Sequence, residues 1–89
     1  MNITFTGKED IRSKALEDLC EKKISKLLTK VSTDNVRADV TFSKEAKDYV
    51  LSIRLFVDGD NYMAKVKGDD MYKNVDDCVT KLGAQLRKK

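Results

Sequence analysis

Apolar and polar residues alternate in four stretches of the chain and recur at helical spacing in two. Ile3 and Phe5 share one face of a short strand over residues 2–7, and Gly7 permits a turn after it. Val36, Ala38, Val40 and Phe42 alternate with Arg37, Asp39, Thr41 and Ser43. Beyond the polar stretch Lys44–Asp48, Tyr49, Leu51, Ile53, Leu55 and Val57 alternate with Ser52 and Arg54. These two runs read as a hairpin. Asp58-Gly59-Asp60-Asn61 marks another turn, and Tyr62, Ala64 and Val66 share one face of a fourth strand over 62–67.

Two stretches follow a different period. Leu16, Leu19, Cys20, Ile24, Leu27, Leu28 and Val31 form one stripe of a helix with Ser13 as N-cap. The pattern fades over 31–35, which reads as a loop. Met71, Val75, Cys78, Val79, Leu82 and Leu86 form the stripe of a second helix, with Asp69 as the expected cap. Asp69, Asp70, Asp76 and Asp77 lie in its first half, where the earliest suit the helix dipole, and basic residues close its other end.

The predicted order is β-α-β-β-β-α, an α+β class fold. Half-apolar strands need one face covered, and two amphipathic helices packed on one face of a four-stranded mixed sheet supply that cover. The first strand–helix–strand unit predicts a parallel pair with a right-handed crossover. The later strands are joined by short turns and are expected to be antiparallel. Residues 1–89 read as one domain, with no linker or repeat.

Composition sharpens this picture mainly by exclusion. There is no histidine, which removes the commonest neutral-pH general base and the commonest zinc ligand. Cys20 and Cys78 lie within apolar stripes and read as reduced, buried thiols rather than metal ligands. No nucleophile motif or glycine-rich phosphate loop is present. Asp69-Asp70 is explained by capping. Tyr49, Tyr62 and Tyr72 are scattered and form no paired base-stacking platform. The expectation is a non-enzyme without metal, cofactor or small-molecule substrate. The start of the chain lacks a basic, apolar leader, and no apolar run is long enough to span a membrane. A cytoplasmic protein without membrane association is expected.

A net charge of +3, from 18 basic and 15 acidic residues, is too mild to imply nucleic acid. Placement is more informative. At about 100° per residue, Lys22, Lys23, Lys26 and Lys30 fall on one flank of the first helix's stripe, and Glu17 and Glu21 fall on the other. A lysine run is ordinarily a solvated face, but a merely soluble helix more often mixes its signs. On the second helix Lys73, Lys81, Arg87 and Lys88 occupy an outward arc, interrupted by Asp77, with Lys89 next in sequence. Helices packed side by side would merge the two arcs into one phosphate-binding surface, which neutralises charge without reading sequence.

Several segments resemble the family of ribosome hibernation factors, also labelled sigma-54 modulation or S30EA-like proteins. They are Met1–Thr4 leading to Gly7-Lys8, Ala15-Leu16, Glu21–Leu27, Asp70-Met71-Tyr72, Val75-Asp76, Lys81-Leu82 and Gln85–Lys88. The resemblance covers essentially the whole chain. It implies a sheet-and-two-helix fold similar to a double-stranded-RNA-binding domain. It also implies binding to the small ribosomal subunit and its RNA, in the channel used by messenger and transfer RNA, and inhibition of translation during stress or stationary phase. Lys22, Lys23 and Lys26, with Lys81, Arg87 and Lys88, would carry RNA contacts, and Lys8 would supply a basic residue after the first strand. Lys30, Lys73 and Lys89 extend this candidate set.

The chain departs from the family pattern at Ala84, where an arginine is usual and where the helical wheel places the middle of the basic arc. Asn74 stands for a commoner small residue, and Gly83 costs the helix roughly 1 kcal/mol relative to alanine. The chain matches the short form of the family, without the C-terminal dimerisation domain, and a monomer is expected. Two competing readings stand beside this one. A general double-stranded-RNA binder needs a basic helix N-terminus, which Asp69 and Asp70 oppose. A protein-interaction module acting on a sigma factor would use the uncovered sheet face bearing Arg37, Asp39, Thr41, Ser52 and Arg54.

Overall fold

The structure is a computed structural model and describes residues 2–8, 10–29, 31 and 35–87. The elements run β1 (Asn2–Thr6), α1 (Lys14–Leu28), β2 (Val36–Glu45), β3 (Asp48–Val57), β4 (Asp60–Gly68) and α2 (Met71–Arg87). The β-α-β-β-β-α order is the one the periodicity predicts. Strands lie in the order β1-β2-β3-β4, with β1 parallel to β2 and the other pairs antiparallel.

Register decides which face is covered. Phe5 aligns with Val40, Val40 with Ile53, and Ile53 with Ala64, so one apolar row crosses all four strands. Val40, Ile53 and Ala64 are buried with Phe42, Leu51 and Leu55 beneath Leu16, Cys20 and Ile24 of α1 and Val75, Cys78 and Leu82 of α2. Both helices therefore cover the same side of the sheet. Arg37, Asp39, Thr41, Ser52 and Arg54 lie on the opposite side, as alternation requires.

The turns follow from local chemistry. Asp58 and Gly59 have φ of 52° and 89°, the doubly positive conformation that twists a two-residue hairpin correctly. At Gly7, φ is 150°, and a Cβ there would lie 2.7 Å from the Phe42 carbonyl oxygen. Only glycine lets the chain leave β1 so close to β2. The β2 and β3 strands extend to Glu45 and from Asp48, leaving a turn of Ala46 and Lys47 in place of the longer polar stretch.

Both helix starts are capped by side chains. The Leu16 amide donates to Ser13 Oγ at 3.2 Å, as the sequence suggests. On α2 the cap is Asp70 rather than Asp69: the Tyr72 amide donates to Asp70 Oδ1 at 3.0 Å, and the Asn74 amide donates to the Asp70 carbonyl. The hairpin register carries β4 through Gly68, which moves the helix start one residue along. Among the described residues no helix is long and apolar enough to cross a membrane.

Candidate nucleic-acid interface

The two helices meet side by side. Lys23 Nζ of α1 lies 3.2 Å from Asp76 Oδ1 of α2. One turn further along α1, a Cβ on Gly83 of α2 would lie 3.3 Å from Leu27 Cδ1. The paired positions advance together along both helices, so α1 and α2 run parallel. Gly83 thus lies at the closest approach of the two helices, where only a small side chain fits beside Leu27.

Parallel packing brings the lysine flank of α1 to the side on which α2 lies. Lys22 and Lys26 are exposed, and so are Lys81 and Arg87 of α2. Wheel angles place Lys22 and Lys26 outward on α1 and Arg87 outward on α2, while Lys81 turns toward β4. Lys23 differs from its neighbours. It is half-buried between the helices and bound to Asp76, so its charge is partly spent inside the protein. Asp76 is exposed and interrupts the surface at that level.

The opposite end of the helices is mixed in sign. A cleft of about 720 Å³ between the two helix N-termini is lined by Asp10, Asp69, Asp70 and Lys73 among others. Lys73 therefore stands among acids, away from Arg87 at the far end of the helix. Lys8 is exposed at this end too and lines a second cleft with Lys44, beside the β2–β3 turn. Lys30, Lys88 and Lys89 lie outside the described residues. Ala84 is half-buried rather than fully outward.

Other polar features are explained by structure. Asn74 is buried, and its Nδ2 donates to the Tyr49 carbonyl at 3.1 Å, fastening α2 to the end of β3. A Cβ on Gly68 would come 2.7 Å from Asn74 Oδ1, so glycine accommodates this residue. Arg12 donates to the Phe5 carbonyl at 3.1 Å and pairs with Glu17 at 3.0 Å, tying the start of α1 to β1. Gln85, which sequence reasoning left unassigned, bonds to Met63 of β4 through both ends of its amide.

Cys20 and Cys78 are free and buried. Burial pushes the Cys20 thiol up to about 12, helped by the charge of Cys78. Burial likewise pushes Cys78 up to about 11, with Lys81 opposing the rise. Both stay protonated and unreactive at neutral pH. Among the described residues no group of three or more histidine, cysteine, aspartate or glutamate side chains is placed to hold a metal.

A four-stranded mixed sheet with two parallel helices on one face, basic toward their C-terminal ends, defines a class of small α+β domains. The chain belongs to the sigma 54 modulation protein / S30EA ribosomal protein family, whose model matches residues 3–89. This is a family of ribosome-associated proteins. A ribosomal subunit interface protein from Coxiella burnetii is similar in structure, with a TM-score of 0.86 and 30% identity over 99% of this chain and 96% of that one. The Thermus thermophilus Protein Y N-terminal domain has a TM-score of 0.84 and 25% identity, over 99% of this chain and 98% of that domain. No curated protein sequence gives a significant match.

Proposed function

We propose that this chain docks on the small ribosomal subunit, in the channel used by messenger and transfer RNA, and idles the ribosome under stress or in stationary phase. It acts in the cytoplasm as a single, monomeric, non-catalytic domain. The contact is electrostatic and runs along the helices: Lys22 and Lys26 of α1 and Arg87 of α2 meet phosphates of ribosomal RNA, with Lys81 one to two turns before Arg87 and Lys88 and Lys89 next in sequence. The supporting observation is the parallel packing of α1 and α2 through Lys23–Asp76 and Leu27–Gly83. It sets the lysine-bearing outer face of α1 beside the last turn of α2, which carries Arg87. Family membership supplies the ribosome as target.

General recognition of duplex RNA fits less well, because Asp69 and Asp70 are exposed at the α2 N-terminus and repel a phosphate backbone there. The test is co-sedimentation with purified small subunits. Lys22→Glu, Lys26→Glu and Arg87→Glu combined should remove the protein from the subunit peak while its circular dichroism stays native. Binding that survives these changes in moderate salt sinks the helical-face model.

A further inference from the structure

Strand β4 is an outer strand, bonded to β3 on one side only. Its hairpin closes at Val57 and Asp60 across a two-residue turn, which makes them a hydrogen-bonded pair. Alternation then turns the backbone of Tyr62, Ala64 and Val66 toward β3, and the backbone of Asn61, Met63, Lys65 and Lys67 away from it. An outward row of amides and carbonyls is a template for another strand.

Gln85 stands in the middle of that row. Its Nε2 donates to the Met63 carbonyl at 2.7 Å, and its Oε1 accepts from the Met63 amide at 3.3 Å. A side-chain amide carries the same donor and acceptor as a peptide unit. The two bonds therefore reproduce one rung of a β-ladder. Gln85 reaches the edge because α2 packs on β4, where Cys78 Sγ lies 3.9 Å from the Ala64 carbonyl oxygen, and Gln85 lies two turns further along on the same side of the helix.

We propose that the outer edge of β4 is a self-association surface for a second copy of this chain, and that Gln85 holds it closed. The edge is self-complementary. Antiparallel pairing about a two-fold axis at Met63 sets Met63 against Met63 and Asn61 against Lys65 of the second copy, so no like charges face each other. It also covers Met63, which is 46% exposed and, among the described residues, one of two large apolar side chains so exposed.

The test compares the full chain with Gln85→Leu, which removes both bonds, by sedimentation equilibrium over a wide concentration series. The wild type should remain monomeric. Gln85→Leu should self-associate about a hundredfold more tightly, because pairing opens two hydrogen bonds in each copy, four in all, each at the low end of ordinary net strength. Met63→Pro in the Gln85→Leu background should reverse this, because proline removes the outward amide and is tolerated on an edge. Gln85→Ser repeats the comparison should the leucine variant lose its native circular dichroism. The proposal is overturned by folded Gln85 variants that stay monomeric, by a wild type that associates as tightly, or by association that persists with Met63→Pro. None of these readouts depends on ribosome binding.

Discussion

Lys23 and Asp76 face each other across the seam between α1 and α2 at 3.2 Å. One lysine of the basic flank is thereby committed to holding the helices together. As a half-exposed pair it contributes about 0.5 kcal/mol. A double-mutant cycle with Lys23→Ala and Asp76→Ala, read by urea unfolding, should return a coupling of that size. Asp76→Ala alone removes an exposed negative charge from the proposed RNA face, so subunit affinity should rise while stability falls slightly. Lower affinity in Asp76→Ala would mean that the bridge matters to binding through geometry rather than charge.

Gly83 and Leu27 define how closely the helices approach. Gly83→Ala gains helix propensity of about 1 kcal/mol, and the atom it meets is the flexible end of a leucine. The variant should be neutral or slightly more stable. Gly83→Leu has no such accommodation and should lose about 1–3 kcal/mol by forcing α1 and α2 apart. Thermal unfolding of the pair distinguishes a packing requirement from a merely permissive position.

Asn74 supplies a buried polar tie in a seam otherwise made of apolar groups. Asn74→Leu leaves the Tyr49 carbonyl without this donor and overfills the space beside Gly68, and should cost about 1–3 kcal/mol. Asn74→Ala should cost less. Equal stability of wild type and Asn74→Leu would show that the tie contributes nothing net.

Ionising the buried thiols works against folding at alkaline pH. Their protons are held to about 12 and 11 in the folded chain, against an ordinary value of 9.0. The folded state therefore keeps protons that the unfolded state gives up. The stability this represents is fully present below pH 9 and is lost as pH rises from 9 through about 12. Cys20→Ala with Cys78→Ala should flatten the decline in unfolding free energy over that window. A disulfide reagent at pH 8 should label neither thiol until the chain unfolds.

Ala84 interrupts the arc that Lys81 and Arg87 begin. Ala84→Arg should strengthen subunit binding and steepen the dependence of log K on log salt by about one. An unchanged slope would place this part of α2 away from phosphate.

The sequence by itself determined the elements, their order and which residues face the core. Alternation in strands and the helical period are local, and Ser13, Asp58-Gly59 and the two apolar stripes carry them without reference to distant residues. It also determined that basic residues segregate to one flank of α1, since the wheel depends only on rise and turn. Three things waited for the tertiary structure. Lys23 looked like its neighbours until Asp76 appeared opposite it. Gly83 looked like a defect until Leu27 was seen beside it. Gln85 had no assignment until β4 emerged as an outer strand with Met63 facing out. Each depends on where α2 sits relative to α1 and β4, a long-range placement set by packing of the whole core. No short window of sequence contains both partners of any of these contacts.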